Sequence, residues 1–351
     1  MLFLSQGFTQ YVNKRGGKSV LFDISLDVRE DAIMNFDPKL LDILLFDRTT
    51  RRNIIWATDD YAEKGSEYSA SSEILPELIT GCNAMLIRPR IAKSIEAQES
   101  RTRGRAEVFT PCWVCNAQNN LVDEQWFGRT YVFNTEGEKR WKTVGSKIQF
   151  PGSHHKTWQK YVDAKRLEIA CGEAPYLVSR YDTVSGVMIP IQDRIGLLDR
   201  KLRVVNENTD NAEDWFKWTL RAFQSVYGYE FQGDNLLLAR ENLLATFIEY
   251  HQERFAENPT EKQLYSIART ISWNIWQMDG VKFVVPYSCK PQQLDQQLSL
   301  FDFGEDQEEV IPCFGCKTGN IREHTGIYCR IYDWREKASL RYIDMVKGER
   351  V

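Results

Sequence analysis

Residues 167–177 read Leu-Glu-Ile-Ala-Cys-Gly-Glu-Ala-Pro-Tyr-Leu and carry the clearest indication of the fold class. Its first four residues form a compact apolar run that predicts a short β-strand, and Gly172 and Ala174 supply small residues in the turn that follows. On an open α/β sheet a nucleotide-type cofactor binds at the carboxyl end of such a strand, because a small-residue turn lets the backbone approach it. We therefore expect a cofactor turn here.

An acidic residue ends the next predicted strand. Residues 226–231 follow a helix predicted over 211–225 and precede a second helix predicted from 235 to about 254, and residues 271–276 offer a third strand or a helix end. An acid in this position accepts hydrogen bonds from ribose hydroxyls, so Glu230 is a candidate ribose ligand. The alternative is a solvated glutamate at a strand end. Short apolar runs that alternate with amphipathic helices predict an α/β class for this region.

Four segments, in their order along the chain, resemble a known enzyme family. Residues 109–111, 168–174, 228–231 and 276–280 resemble the N-terminal half of DNA adenine N6-methyltransferases of the gamma order, the modification enzymes of restriction-modification systems. The resemblance covers residues 109–280, about half of the chain. It implies a Rossmann-like fold, S-adenosylmethionine as the cofactor, DNA as a partner, and a restriction or recognition subunit as a further partner.

The resemblance also assigns roles along the cofactor. Glu230 would bind the ribose, Phe231 would pack on the adenine, and Asp279 would accept a hydrogen bond from the adenine amino group. One segment would touch the methionine end and another would wrap around it. The residues are Phe109, Thr110 and Pro111 in the first of these segments, and Glu168, Ala170, Gly172 and Ala174 in the second.

One departure from the family concerns catalysis. Family members carry Asn/Asp-Pro-Pro-Tyr/Phe after the fourth strand, where the polar residue accepts from the target amino group and the ring stacks on the flipped base. The sequence contains no such tetrapeptide, and the nearest strings, at 284–288 and 310–314, lack the polar first residue. Two functions follow: an adenine methyltransferase or modification subunit, or a catalytically inactive relative that binds cofactor or DNA and acts as a recognition or defence partner. A nicotinamide dehydrogenase would need a fuller Gly-x-Gly-x-x-Gly turn.

Cysteine spacing indicates a second candidate site. Cys313, Cys316, His324 and Cys329 form a C-x2-C-x7-H-x4-C pattern whose four ligands could close a tetrahedral Zn²⁺ site. A metal would explain how so short a segment folds, whereas the alternative is a set of small buried thiols. The other close pair, at 112 and 115, has no matching second pair and predicts a buried helix start.

Composition and linkers set the expected organisation. A chain of 351 residues with 42% hydrophobic residues can bury one sizeable core, and a net charge of −4 argues against non-specific coating of DNA. No apolar run approaches the roughly 20 residues of a membrane helix, so we expect a cytoplasmic protein with no membrane partner. The predicted parts are an N-terminal α+β region at 1–95, a Rossmann-like domain at 96–290, an acidic linker at 291–309, and a Cys-rich segment at 310–351.

An arginine-rich segment lies within the predicted Rossmann-like domain. Residues 180–203 separate the cofactor turn from the second strand and carry several arginines and a lysine. Such a stretch predicts either a charged surface helix or an edge that faces DNA or a partner. In the N-terminal region, helices are predicted around 38–45 and 72–80.

Overall fold

Helices and short strands alternate along the chain. The computed structural model describes residues 30–94, 98–99, 101–103, 110–153, 155–293 and 310–346. The helices are α1 Glu30–Phe36, α2 Pro38–Leu45, α3 Pro76–Ile79, α4 Cys112–Phe127, α5 Trp158–Asp163, α6 Leu197–Asn208, α7 Ala212–Gln224, α8 Gly233–Phe255, α9 Glu261–Asn274 and α10 Phe314–Thr318. The strands are β1 Asn134–Gly137, β2 Arg140–Thr143, β3 Arg166–Glu168, β4 Val226–Glu230, β5 Ile275–Gln277, β6 Gln292–Gln293, β7 Val310–Ile311, β8 Arg330–Asp333 and β9 Ala338–Arg341.

A three-stranded parallel sheet lies at the centre, in the order β3-β4-β5. Helices α6 and α7 connect its first two strands and α8 and α9 connect the last two, since parallel neighbours require a crossover. The strands predicted around Leu167 and Val226 are confirmed. The segment that offered a strand or a helix end contains both, because α9 runs to Asn274 and β5 begins at Ile275.

The two faces of the sheet are covered by different structures. Val226 and Ile275 pack into the main core with the helices, whereas Tyr227 and Trp276 point to the opposite face, as alternation along a strand requires. There they meet Ile331 of β8 and its neighbours. In the described ranges helices therefore cover one face, and the β8–β9 hairpin covers the other. The mixed α/β class is confirmed, while a complete doubly wound Rossmann sheet is not found among these residues.

Helix α8 is enclosed on all sides. Every residue from Gly233 to His251 is buried, including the charged Asp234, Arg240 and Glu249. Burial lowers the pKa of Arg240 to about 9, and its guanidinium donates to backbone carbonyl groups at the ends of α2 and α9. Those acceptors are the carbonyl oxygens of Leu44, Phe46, Ser272 and Ile275. The side chain thus caps two helix C-termini at once. No helix in the described part of the chain combines the length and apolarity that crossing a bilayer requires.

The arginine-rich stretch lies inside the protein. Arg180 pairs with Glu249 of α8 at 3.0 Å, and Arg200 pairs with Asp123 of α4 at 2.5 Å; all four side chains are buried. Lys201, also buried, donates to the Ser225 hydroxyl. For these residues both predictions, a surface helix and a DNA-facing edge, were wrong. Arg200 on α6 pairs with α4, and Arg180, in the segment before α6, pairs with α8, so these charges form ion pairs inside the protein instead of facing solvent.

The N-terminal region packs on the carboxyl edge of the sheet. Gln277, at the end of β5, accepts a hydrogen bond from the Ile55 amide at 2.9 Å and donates to the Ile55 carbonyl at 2.8 Å. The Gly233 amide donates to Trp56 O, and a Cβ at Gly233 would lie 2.0 Å from the Ile55 oxygen. Glycine is therefore required where α8 begins. The helix predicted at 38–45 is confirmed as α2, and that at 72–80 contains the shorter α3.

Replacing Arg240 with methionine should lower the free energy of unfolding by about 3 kcal/mol, because several buried carbonyl groups lose their donor. Denaturant unfolding followed by circular dichroism measures this change. Arg269→Met on the exposed side of α9 is the matched control, with an expected change of about 0.5 kcal/mol or less. Equal stability of the two variants would contradict the capping role.

Candidate functional site

Three sulfur atoms and one imidazole nitrogen converge near the end of the described chain. The ligand atoms of Cys289, Cys313, Cys316 and His324 all lie within 4.8 Å of one another. Nδ1 of His324 is 3.7 Å from the sulfur of Cys289 and 3.6 Å from each of the other two sulfurs. Tetrahedral Zn²⁺, with bonds of about 2.3 Å to sulfur and about 2.0 Å to nitrogen, separates sulfur from nitrogen by about 3.5 Å, close to the distances found here. These four residues could bind a metal such as zinc.

Short backbone elements bring the four residues together. Strands β6 and β7 pair antiparallel, so Cys289 just before β6 and Cys313 just after β7 become neighbours. Between Cys313 and Cys316, a Cβ at Gly315 would lie 2.7 Å from the His324 amide nitrogen, so only glycine fits that close approach. The Thr325 amide donates to the Cys313 sulfur at 3.2 Å, as expected for a supported thiolate ligand.

The fourth ligand differs from the one that the sequence indicates. Cys329 is fully buried just before β8, and its thiol donates to the Gln277 carbonyl oxygen at 3.2 Å. It packs with Trp276 against the sheet, because β8 turns that side chain toward the core. Cys289 takes the remaining place in the cluster. Sequence spacing missed it because the linker separates it from Cys313; the only signal is that the two cysteines flank this linker.

Crowding of the thiols makes their protonation uneven. Burial, together with the neighbouring Cys313 and Cys316, raises the pKa of Cys289 to about 12. Burial also acts to raise the pKa of Cys313, but hydrogen bonds, led by those from Thr325, lower it to about 5. Several thiolates so close together repel one another unless a cation lies between them. A divalent metal removes this repulsion, and metal binding then releases protons.

The small-residue turn that was predicted to bind a cofactor meets the acid of β4 at the carboxyl edge of the sheet. The Gly172 amide donates to the Glu230 carboxylate at 2.8 Å, and the amides of Phe231 and Gln232 donate to its other oxygen. In the turn, every second residue has a φ angle in the left-handed region, with values of 47° at Ala170, 52° at Gly172 and 63° at Ala174. The two alanines have a Cβ and are strained there, a feature that clusters at ligand sites.

A second buried carboxylate lies beside this turn. Glu168, at the end of β3, accepts hydrogen bonds from the Tyr176 and Leu177 amides at 3.2 Å each. Desolvation outweighs these bonds and raises the pKa of Glu168 to about 8, and burial likewise raises the pKa of Glu230. The carboxyl edge therefore holds two glutamates whose ionisation is made less favourable by burial. Such perturbed groups mark candidate binding sites.

The other predicted cofactor residues have varied surroundings. Phe109 lies outside the described residues, and Pro111 precedes α4 as its N-cap. The Thr110 carbonyl accepts from the Thr183 hydroxyl at 3.1 Å. Asp279 follows β5, and one of its oxygens accepts from two amides of its own turn, at residues 281 and 282, both at 3.0 Å. Phe231 lies 5.9 Å, ring to ring, from exposed Tyr287.

The cysteine pair at the start of α4 is structural. Cys112 begins the helix and Cys115 lies one turn later, and both are buried, which confirms the predicted buried helix start. Burial raises the pKa of both thiols well above the ordinary value for a cysteine. They serve as small core side chains in this position.

Known proteins provide no family for this chain. No protein-family model matches it, and neither a curated protein nor a solved structure matches it.

Metal analysis of the purified protein should find about one metal ion per chain, and Cys289→Ser should remove most of it because one of four ligands is lost. Cys329→Ser is the control and should keep the metal, since this residue lies on the sheet instead. Elemental analysis by mass spectrometry measures both. Loss of metal from the Cys329 variant alone would contradict the assigned cluster.

Stability should depend on pH through Glu168. Between about pH 5 and pH 8 the unfolded chain releases this proton while the folded chain keeps it, so the free energy of unfolding falls as the pH rises. Glu168→Gln should make this slope shallower, whereas Glu213→Gln, an exposed control, should not. Urea denaturation at pH 5, 6.5 and 8 measures the slopes. An unchanged slope in the Glu168 variant would contradict the raised pKa.

Proposed function

We propose that this chain is an S-adenosylmethionine-dependent DNA adenine N6-methyltransferase or the modification subunit of a restriction-modification system. The observation that carries the proposal is the meeting of the small-residue turn with Glu230, joined by the 2.8 Å bond from Gly172. This meeting occurs at the carboxyl ends of parallel strands, where open α/β sheets bind nucleotide-type ligands. The chain would act in the cytoplasm, where its thiols remain reduced.

The Glu230 carboxylate can accept one more hydrogen bond, from a ribose hydroxyl. A carboxylate has about four acceptor positions, and three are occupied by backbone amides. The oxygen that faces Gly172 accepts only one of those bonds, so it can take a hydroxyl hydrogen as a second. The amide bonds also hold the carboxylate in place before the ligand arrives, which reduces the ordering cost of binding. Phe231, next in sequence, would then lie beside the adenine.

A second candidate is a subunit that binds cofactor but depends on a partner for catalysis. The sequence lacks the catalytic tetrapeptide. In addition, the described sheet ends at β3, and no strand in the described ranges pairs with the outer edge of β3. The Arg166 amide points to β4, so by alternation the Leu167 N–H and C=O point outward. Leu167 is 43% exposed and Ile169 is 66% exposed. An open edge with exposed apolar side chains suits a strand from a restriction or recognition subunit.

We assign Zn²⁺ to the metal centre, in a structural role. Thiolate and imidazole ligands suit zinc, and a closed set of three cysteines and one histidine leaves no coordination position for substrate. The metal would join the start of the linker, at Cys289, to the segment that covers the second face of the sheet. A short segment gains folding energy from such a site.

Calorimetric titration with S-adenosylmethionine should show one site, weakened about tenfold, or about 1.4 kcal/mol, by Glu230→Gln, because the amide is a poorer acceptor for ribose hydroxyls. Glu213→Gln, exposed on α7, is the matched control. Transfer of labelled methyl groups to DNA then separates the two candidates. Binding with transfer supports the enzyme, binding without transfer supports the partner-dependent subunit, and absence of binding refutes the cofactor role.

A further inference from the structure

A cavity in the N-terminal region lies apart from both sites described above. Its volume is about 580 Å³, within the range of roughly 300 to 1,000 Å³ typical of small-molecule sites. Residues 84–86 form an apolar wall, and cationic side chains form much of the remainder. The cations among its lining residues are Lys64, Arg88, Lys93 and Arg101.

Lys93 is a buried ammonium with unused hydrogen-bond donors. Its side chain is 9% exposed, and in the described part of the chain its Nζ makes no hydrogen bond. The anion beside it, Asp234 Oδ2, is 3.6 Å away. That oxygen already accepts from the Tyr61 hydroxyl at 2.8 Å and from Arg101 at 2.6 and 2.7 Å. A buried donor without an acceptor is costly, so an oxygen in the cavity would supply what the protein does not.

Positive charge exceeds negative charge around the cavity. Asp60 is the carboxylate among the lining residues, and it pairs with Arg101 Nε at 3.2 Å. Asp234, a buried carboxylate, is shared by Arg101 and Lys93. Two further cations, Lys64 and Arg88, therefore have no carboxylate partner among the ion pairs of the described residues. A concave, partly desolvated surface with this excess attracts anions that carry more than one charge.

We propose that this cavity binds a phosphate-bearing ligand, with the phosphate near Lys93 and an organic part against residues 84–86. Lysine and arginine side chains bind phosphate through charge-assisted hydrogen bonds. The ligand is a free nucleotide or the terminal phosphate of a DNA strand, which share this chemistry. The site goes beyond the proposed methyl-donor site, although Arg101 also donates to Gln232, whose amide binds Glu230. A phosphate ligand would thus be connected to the carboxyl edge through one arginine.

Calorimetric titration of the full-length protein with pyrophosphate, with ATP, and with a short DNA strand with or without a 5′-phosphate tests the proposal. At least one phosphate probe should bind, and Lys93→Gln should weaken it at least tenfold. Arg88→Gln, at the exposed rim, should weaken it about threefold without the risk that a buried substitution poses to folding. Lys142→Gln, an exposed lysine on β2, is the control and should bind as the wild type does.

Two results would overturn the phosphate site: no binding of any probe at millimolar concentration, or unchanged binding in both the Lys93 and Arg88 variants. Preference for ATP over the 5′-phosphorylated strand identifies a nucleotide, and the reverse preference identifies a DNA end. Saturating S-adenosylmethionine and Glu230→Gln should leave phosphate binding intact. Competition by S-adenosylmethionine would instead place the probe in the methyl-donor site and refute a separate cavity. The two proposals can therefore fail independently.

Discussion

Helix α8 is buried along most of its length, so its charged side chains require partners inside the protein. Asp234 accepts hydrogen bonds from Tyr61 in the N-terminal region and from Arg101, and Arg240 caps the ends of two neighbouring helices. Near the other end, Glu249 pairs with Arg180 in the segment that follows the small-residue turn. A buried charge that loses its partner is strongly destabilising. The N-terminal region, helix α8 and the segment after the turn therefore depend on one another. The helix therefore determines how the N-terminal region, the sheet and the inserted segment assemble.

This central helix occupies one face of a small sheet and leaves the other to the C-terminal segment. Tyr227 and Trp276 project from that second face and pack against the β8–β9 hairpin, where a doubly wound fold would place another helix. A hairpin of this size has little core of its own. Contact with the sheet supplies part of the missing stabilisation, and Cys289 lies in the loop that leaves the sheet after β5. A metal ion bound by the four ligand residues would join this loop to the segment and support the architecture beside the carboxyl edge.

The carboxyl edge contains strained backbone, two buried glutamates and a turn that is held in place by hydrogen bonds. Glu230 holds the turn through Gly172, while Glu168 holds the following residues, so the loop has a defined shape without a ligand. Covering this edge, Ile55 bonds Gln277 and Trp56 accepts from the start of α8. The N-terminal region is consequently part of the surroundings of the edge. Its cationic cavity lies on the same side of α8, because Arg101 bonds both Asp234 and Gln232.

Local sequence patterns indicated the strands of the central sheet, the helices that connect them, the small-residue turn with its acid, and three of the four candidate metal ligands. These features follow from periodicity and from close spacing, which the sequence contains in full. Only the tertiary structure decided that Cys289 joins the metal centre while Cys329 packs on the sheet, because strand pairing across the linker brings distant residues together. It also decided that Arg180 and Arg200 are buried. The positions of charged residues along the chain do not show which of them form ion pairs, because these pairs join residues that lie far apart in the sequence.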